Sequence, residues 1–292
     1  MLNSDTLVSI GLPVRNAGSR VADVVRSVLA QDYENLELVI TDNASADETE
    51  DVCRELARSD SRIAYHRQAQ NIGLLNNFVY AIGAAKGTYF RWIGDDDRLE
   101  PGFVSRCLRS FEEDPRLILV TTGIAYTGPE GAAQTADYRG TALGSDDPVE
   151  RLAEMLRLLT TSYLVMDPLY GMMRREPVAA IPRRNMLRED EVFATKLALA
   201  GPWHHVPEVL AHRVWKEERI GTVGKRLGVP AWQSRFSNTL AYREILRWLG
   251  QVELTDEQRR RARAAVYSMY LTRQWRVVKR RSRKLVGMAT PR

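Results

Sequence analysis

The chain has 292 residues, 44% of them hydrophobic and 27% charged, with a formal net charge of +5. This balance excludes a disordered chain, and no apolar run approaches the roughly 18 to 20 residues that a membrane-spanning helix needs. Two cysteines cannot form a disulfide framework, no Cys/His spacing indicates zinc, and no basic segment precedes the apolar N-terminal stretch, so we expect a cytoplasmic protein without a signal peptide.

The first hundred residues alternate between short apolar runs and segments with helical spacing. Strands are predicted at residues 7–10, 36–41, 62–66 and 88–93, and helices at 21–30, 47–58 and 74–85. Strands that alternate with helices of about ten to twelve residues build βαβ units with right-handed crossovers. The pattern predicts an α/β fold with a doubly wound, mostly parallel sheet flanked by helices.

The segment beyond residue 100 is less regular. Helices are predicted at residues 101–111, 149–159 and 189–200, and a strand is predicted at 117–121. Two further helices, at residues 232–249 and 256–284, form a C-terminal extension. We therefore predict an α/β domain at residues 1–225 and a helical extension at 226–292.

Polar, turn-forming segments follow three of the predicted strands. They are residues 13–16 (PVRN), 42–45 (DNAS) and 94–97 (GDDD). In an open α/β sheet, ligands bind beyond the carboxyl ends of the strands. We expect the three segments to converge on one edge of the sheet.

The strongest local signal is the run Asp95-Asp96-Asp97 after an apolar strand. Three adjacent carboxylates repel one another unless a cation or hydrogen bonds compensate them, and such hard oxygen ligands suit Mg²⁺ or Mn²⁺. A solvated acidic turn accounts for the same residues without a metal.

Two other acidic positions have both a local and a functional interpretation. Asp42 follows the second strand, where a carboxylate accepts hydrogen bonds from a nucleobase or a ribose. We expect Asn43 or Ser45 to cap the next helix and Asp42 to face the cleft. The segment 189–191 (EDE) opens a helix, and acids in a first helical turn also serve as simple capping against the macrodipole.

Four segments in chain order resemble the motifs of family 2 glycosyltransferases: VSIGLPVRN, ITDNASADET, RQAQNIGLLNNF and GTYFRWIGDDDRLEPGF. The resemblance covers residues 6–215 and implies a GT-A fold, in which residues 1–225 bind a nucleotide sugar and carry out catalysis. Two positions depart from the family's pattern. Asn43 stands for the second aspartate of D-D-x-S, and Gly94 stands for the first aspartate of L-D-x-D-D.

The resemblance implies roles on the donor side. Asp42 would hold the nucleotide base, Asp97 would bind Mn²⁺ or Mg²⁺, and Asp96 would contact the ribose or the metal. In an alternative alignment, Asp95 and Asp97 form a D-x-D motif. The other implied nucleotide-binding residues are Pro13, Asn16, Asn71 and Asp95.

On the acceptor side, the resemblance implies that Asp190, with Glu189 beside it, is the general base. An inverting transfer needs a carboxylate within hydrogen-bond reach of the acceptor hydroxyl. That carboxylate must lie opposite the departing diphosphate, whose charge the metal neutralises. Tyr170 and Gly171 are predicted to line the acceptor side, and a core strand is the alternative for this segment.

The resemblance implies a strand pair within residues 201–213. The family's R-x-H element near the diphosphate, which follows it, is incomplete, because Val214 and Trp215 follow Arg213. The compensating positive charge would come from one of four residues that spacing does not separate. They are His212, Lys216, Arg219 and Lys225.

The C-terminal segment is strongly basic. Residues 257–292 carry 12 Lys/Arg and one acid, so the remaining 256 residues have a net charge of −6. Apolar residues recur along the last predicted helix at Ala264, Tyr267, Leu271, Trp275 and Val278. A basic amphipathic helix of this kind lies on an anionic membrane surface, or it packs on the body with its arginines solvated. We predict peripheral membrane contact through residues 259–284 and, without a nucleic-acid-binding motif, no nucleic-acid partner.

We therefore predict an inverting glycosyltransferase at the inner face of the membrane. It would move a sugar from a UDP- or dTDP-sugar to a lipid-linked glycan, polysaccharide or small-molecule acceptor. A sugar nucleotidyltransferase is one alternative, but it needs a glycine- and basic-rich phosphate loop that residues 12–16 lack. A non-catalytic carbohydrate-binding scaffold is the other.

Overall fold

The computed structural model describes residues 5–128, 131, 133–135, 138–161, 167–214 and 218–289, with side chains up to residue 279. The strands are β1 Val8–Val14, β2 Leu36–Asp42, β3 Ile63–Arg67, β4 Tyr89–Trp92, β5 Arg98–Leu99, β6 Leu119–Thr127, β7 Ala133–Gln134, β8 Met172–Arg174 and β9 Trp203–Val214. The helices are α1 Arg20–Leu29, α2 Thr49–Ser59, α3 Leu74–Ala84, α4 Phe103–Glu113, α5 Pro148–Thr161, α6 Arg175–Ala179, α7 Glu189–Ala200, α8 Ile220–Leu227, α9 Gln233–Leu249 and α10 Asp256–Ala289, with 3-10 turns at Ala142–Gly144 and Pro168–Tyr170.

One sheet organises the α/β part, in the strand order β3-β2-β1-β4-β8-β6-β9-β5, with β7 paired to β6. The strands β3, β2, β1 and β4 are parallel, and β6 runs parallel to β9. The short β8 is antiparallel to both of its neighbours. The predicted α/β fold with a mostly parallel sheet is confirmed.

Helices cover both faces of the sheet, which explains why the strands are apolar throughout and not alternating. On one face of the sheet, α1 and α4 pack in one cluster with Ile10 of β1. The helix residues in this cluster include Val21, Val25 and Phe103. On the other face, residues of α3, α5 and α7 pack around Phe90 and Trp92 of β4, with Phe193 among them. The two layers hold the carboxyl ends of β1, β2 and β4 at one edge.

The predicted strand pair within residues 201–213 is a single strand, β9. Its register against β6 shifts between Thr122 and Gly123, where Val206 and Val209 are the successive partners. The extra residues, among them Pro207, form a β-bulge, because proline removes a ladder donor without ending the strand. A Cβ at Gly123 would lie 2.8 Å from the carbonyl oxygen of Glu208, so glycine is needed where the bulge passes.

The C-terminal helices α9 and α10 pack on α5 and α7. A third cluster of buried residues joins the four helices across the predicted boundary at residue 225, and the division into two domains stays a prediction. The members of this cluster from α10 are Ala262, Val266 and Met269. None of the helices in the described part of the chain is long and apolar enough to cross a bilayer.

The predicted apolar stripe of α10 does not pack on the body. Tyr267, Leu271, Trp275 and Val278 are all about half exposed or more, and Ala264 is exposed as well. The packing alternative for this stripe is therefore wrong, since the helix buries its other face.

Candidate active site

Parallel pairing brings the predicted donor-side loops together. The amide of Asn16 donates to Oγ of Ser45 at 2.9 Å, and Oδ1 of Asn16 accepts from the Ala46 amide at 2.9 Å. Asn16 adopts a left-handed conformation (φ 52°), which asparagine tolerates better than most residues. Pro13 lies beside Thr41 in the β1–β2 register and is partly buried. Asn16 thus joins the loops after β1 and β2.

Asp42 lies at the end of β2 and is fully buried. Its Oδ1 accepts from the amide and hydroxyl of Ser45 at 2.9 and 2.6 Å. Its Oδ2 accepts from Tyr65 Oη and from Arg67 Nη1, both at 2.8 Å. The expectation that Asp42 faces the cleft unpaired is wrong, because four donors already surround its carboxylate. Arg67, which the sequence did not single out, covers it.

Asn43 and Asn71 form a paired-amide contact that explains the first departure from the family's pattern. Asn43 Nδ2 donates to Asn71 Oδ1 at 2.9 Å, and Asn43 Oδ1 accepts from the Ile72 amide at 2.8 Å. Asn71 Oδ1 also accepts from the Gly73 amide. An aspartate at position 43 would have no N–H group to donate to Asn71 Oδ1. Only the side-chain amide of asparagine can both donate to Asn71 and accept from the Ile72 amide.

The acidic run after β4 does not form one cluster. Asp95 pairs with Arg20 at 3.0 Å, and Asp96 is half-buried. Asp97 is 4% exposed, and its Oδ2 accepts from the Gly94 amide at 3.0 Å. Burial raises the pKa of Asp97 even though nearby arginines oppose the shift. Asp95 and Asp97 are therefore held by different partners.

Gly94, the second departure, makes room for Asp97. A Cβ at position 94 would lie 2.9 Å from Asp97 Oδ2 and 3.2 Å from its Cγ. Any larger residue would push the carboxylate away from the position it occupies. The glycine and the buried orientation of Asp97 therefore belong together.

Arg213, at the end of β9, links the two sides of the site. Its Nε donates to Asp97 Oδ1 at 3.2 Å and its Nη1 donates to Asp167 Oδ2 at 2.5 Å. Its guanidinium lies 3.6 Å from the ring centroid of Tyr170. The sequence marked Arg213 only as the end of a motif, because its partners are far away along the chain.

Three of the four residues considered for the missing positive charge lie within the described part of the chain. His212 pairs with Glu100 through Nε2 at 2.6 Å, and Arg219 and Lys225 are exposed. Lys216 lies outside the described residues. None of these three described candidates contacts the acidic run, whereas Arg213 pairs with Asp97.

A second arginine lies behind Asp97. Arg91 is fully buried, and its Nε donates to the Tyr170 carbonyl oxygen at 2.8 Å. Nη1 and Nη2 of Arg91 have no hydrogen-bond partner within the described residues. Burial lowers the pKa of Arg91 to about 10, and the negative charge of Asp97 counteracts that shift. Asp97 thus lies between the fully buried Arg91 and the mostly buried Arg213.

At the start of α7, Glu189 and Glu191 are both paired. Glu189 receives a two-point contact from Arg183, at 2.7 and 2.5 Å. Glu191 accepts from Arg273 of α10 at 2.5 Å and also pairs with Arg188. These pairs hold the first turn of the helix in place. The predicted catalytic role of Glu189 stays a prediction.

Asp190 differs from its two neighbours, since it is exposed and has no ion-pair partner in the part of the chain described. The protein atoms that crowd the carboxyl group limit its hydration, and the charges of Glu191 and Asp167 add to this effect. Together they raise the pKa of Asp190 to about 7. A carboxyl group with such a pKa, on a residue that is exposed as a whole, is suited to proton transfer near neutral pH.

The two predicted acceptor-side residues have different positions. Tyr170 is half-buried beneath Arg213, and burial raises its pKa to about 12. Gly171 is buried against β6, where a Cβ would lie 2.8 Å from the Val120 carbonyl oxygen. This residue is needed for the close approach of β8 to β6, which agrees with the core-strand alternative, and its acceptor-side role stays a prediction.

Solved structures share this fold at low sequence identity. S. aureus TarS 1-349 in complex with UDP-GlcNAc superposes with a TM-score of 0.65 at 14% identity, covering 91% of this chain and 72% of that one. The mannosyltransferase PcManGT from Pyrobaculum calidifontis, in complex with GDP-Man and Mn²⁺, has a TM-score of 0.53 at 12% identity, covering 92% and 87%.

Curated relatives match about half of this chain. The chain is 27% identical over 150 residues to the putative glycosyltransferase EpsH of Bacillus subtilis, covering 51% of this chain and 42% of the relative. It is 32% identical over 137 residues to a hyaluronan synthase of Pasteurella multocida, covering 47% and 14%. The chain thus spans less than half the length of these two relatives. The model of Glycosyl transferase family 2 matches residues 9–181, and the chain belongs to this family.

Proposed function

We propose that the chain transfers a sugar from a UDP- or dTDP-sugar to an acceptor hydroxyl with inversion at the anomeric carbon. The observation that carries this proposal is which carboxylates form ion pairs with arginines and which one does not. Asp97, Glu189 and Glu191 are held by arginines, whereas Asp190 is accessible, unpaired within the described residues and has a pKa of about 7. A general base needs this combination.

Asp190 would take the proton of the acceptor hydroxyl as that oxygen attacks the anomeric carbon. Because inversion needs attack from the side opposite the leaving group, the diphosphate must lie across the cleft from Asp190. Arg213 and Asp167 stand between Asp190 and Asp97, and Asp167 contributes to the pKa of Asp190. This arrangement supports a donor on the Asp97 side and an acceptor on the Asp190 side.

The nucleotide would bind at the edge formed by the loops after β1, β2 and β3. Asp42 accepts from two donors, Tyr65 and Arg67, that lie on β3 at this edge. An imide N–H of uracil or thymine would replace one of these two as donor to Asp42. TarS is described with UDP and UDP-GlcNAc, which supports a uridine nucleotide as the first choice.

The residues fit a divalent cation that arrives with the diphosphate better than one held by protein alone. Within the described residues, no group of three or more His, Cys, Asp or Glu side chains could hold a metal. Mg²⁺ and related ions often use one or two carboxylates together with substrate phosphates. Asp97 and Asp96 would hold the Mn²⁺ or Mg²⁺, which would supply countercharge for the leaving diphosphate.

Donor turnover and nucleotide binding together test this proposal. The protein is incubated with UDP-sugars, dTDP-sugars and Mn²⁺, and release of nucleoside diphosphate is measured beside the thermal shift that the nucleotide produces. Release of UDP or dTDP that is lost in Asp190→Asn supports the proposal. A protein that binds no nucleotide, or an Asp190→Asn variant with normal turnover, contradicts it.

A further inference from the structure

The long helix α10 has two apolar faces, and only one of them is covered. Ala262, Val266 and Met269 are buried in the core that α10 shares with α5, α7 and α9. On another face, Tyr267, Leu271, Trp275 and Val278 are 52%, 48%, 64% and 58% exposed. Their three- and four-residue spacing places them in one stripe along the helix. A contiguous exposed apolar stripe of this size marks an interaction surface.

The charges around the stripe indicate what it binds. Arg263 and Lys279 are exposed beside it, and Lys279 Nζ lies 6.0 Å from the ring centroid of Trp275. The sequence after Glu257 contains no acidic residue and carries 12 Lys/Arg. Aromatic and aliphatic side chains bordered by cations alone complement an apolar layer beneath negative headgroups.

We propose that the exposed stripe of α10 binds the surface of an anionic lipid bilayer. Trp275 and Tyr267 would lie at the level of the headgroups, where amphipathic rings are most stable. Leu271 and Val278 would reach the boundary of the acyl chains. Arg263 and Lys279 would contact lipid phosphates, and the helix would lie parallel to the surface.

The neighbouring helix α9 also exposes aromatic residues at one end of the helix pair. Thr239 of α9 contacts Tyr270 of α10, and Arg259 near the start of α10 donates to the Leu249 carbonyl at the end of α9, so the helices are antiparallel. The N-terminal end of α9 therefore lies at the Trp275 end of the pair. Trp232 and Phe236 are exposed there by 55% and 51%.

The same end of the α9–α10 pair contacts the start of α7. Arg188 Nε donates to Ser237 Oγ at 3.3 Å, and Arg273 pairs with Glu191. Bound to a bilayer through α10, the protein would keep Asp190 at the end nearest the aromatic residues. If the proposed transfer is correct, this orientation favours an acceptor hydroxyl carried by a lipid; the lipid binding itself does not depend on that transfer.

Vesicle sedimentation with the full chain tests the proposal. We expect binding to vesicles of phosphatidylglycerol and phosphatidylcholine, and little binding to phosphatidylcholine alone. Trp275→Gln or Leu271→Gln should weaken binding to the anionic vesicles by about tenfold, through lost apolar burial. Lys279→Gln should weaken it about fivefold at low salt.

Matched substitutions elsewhere on the surface serve as controls. Val209→Gln removes an exposed aliphatic side chain on β9, and Arg58→Gln removes an exposed charge on α2. Both variants should bind like the parent protein, and so should Asp190→Asn, which separates lipid binding from the proposed catalysis.

Three results would overturn the proposal. One is equal binding to neutral and anionic vesicles, and another is binding that the α10 substitutions leave unchanged. The third is a dimer in sedimentation velocity without lipid that Trp275→Gln dissociates, since a second copy would then cover the stripe.

Discussion

Arg213 on β9 and Asp97 after β4 form an ion pair although 116 residues separate them in the chain. The pair lies in the interior, since the side chains are 18% and 2% exposed. Asp97, the residue that the family's pattern marks as a metal ligand, is thus already charge-balanced by the protein. A donor diphosphate and its cation must compete with this pair, which leads to the first predictions.

A double-mutant cycle on Asp97→Asn and Arg213→Met should give a coupling energy of about 1–3 kcal/mol, because loss of one partner leaves a buried charge unpaired. The coupling energy is obtained from the free energies of unfolding in urea of the parent protein, the two single variants and the double variant. The exposed pair of Arg226 and Glu218, at 2.9 Å, is the reference and should couple by about 0.5 kcal/mol or less. Equal coupling in the two pairs would show that the interior position of the Asp97 pair has no energetic effect.

Gly94→Ala should lower the free energy of unfolding by about 1–3 kcal/mol, because the added methyl would overlap Asp97. The Cβ would lie 2.9 Å from Oδ2 of Asp97. Gly83→Ala on α3 is the matched control, since nothing lies within 4 Å of its Cβ position and alanine favours a helix. A Gly94→Ala variant as stable as the Gly83→Ala variant would mean that Asp97 moves without cost.

Asp190→Asn should lower turnover by about a hundredfold to ten-thousandfold, the usual contribution of a general base. Nucleotide binding, followed by thermal shift, should be nearly unchanged. In the parent protein, kcat/KM should fall as the pH drops below about 7, because the carboxyl group must be ionised to accept a proton. Asp23→Asn, at an exposed position of α1, is the control and should keep full activity.

The raised pKa of Asp190 also predicts a pH-dependent change in stability. Its folded-state pKa of about 7 exceeds the model-compound value of 3.8, so the unfolded state loses this proton first. Stability from this group is present below pH 3.8 and is lost as the pH rises toward about 7. The difference in Tm between Asp190→Asn and the parent protein should therefore be larger, in favour of the variant, at pH 8 than at pH 5. A gain that is independent of pH would argue against the raised pKa.

The cation should depend on the nucleotide for its binding. We expect Mn²⁺ alone to raise Tm little, UDP alone to raise it modestly, and the two together to raise it by more than their sum. Asp97→Asn should remove the excess while keeping the effect of UDP. A large shift with Mn²⁺ alone would indicate a preformed metal site instead.

The fold class could be predicted because the signals that specify it are local. The apolar run at residues 36–41 and the helical spacing at 21–30 each depend on neighbours within a few residues. The strand pair implied within residues 201–213 is a single strand with a β-bulge at Pro207, because proline removes a backbone donor without showing whether the strand resumes. The carboxyl-end rule placed the loops of Asn16 and Asp97 at one edge.

Side-chain partners, by contrast, depend on residues that only folding brings together. Asp42, Asp97 and Asp190 are equivalent in the sequence, as acids at the ends of elements. Packing gives Asp42 four donors, gives Asp97 an arginine from β9, and leaves Asp190 accessible.

The packing of α10 also depends on residues that only folding brings together. Periodicity predicted its apolar stripe, but burial of Ala262, Val266 and Met269 selects the opposite face for packing and leaves Trp275 in solvent. The sequence thus determined the helix, its stripe and its charge, since these are properties of near neighbours. Only the tertiary structure decided which face is covered, because that depends on the shape of the surface formed by α5 and α7.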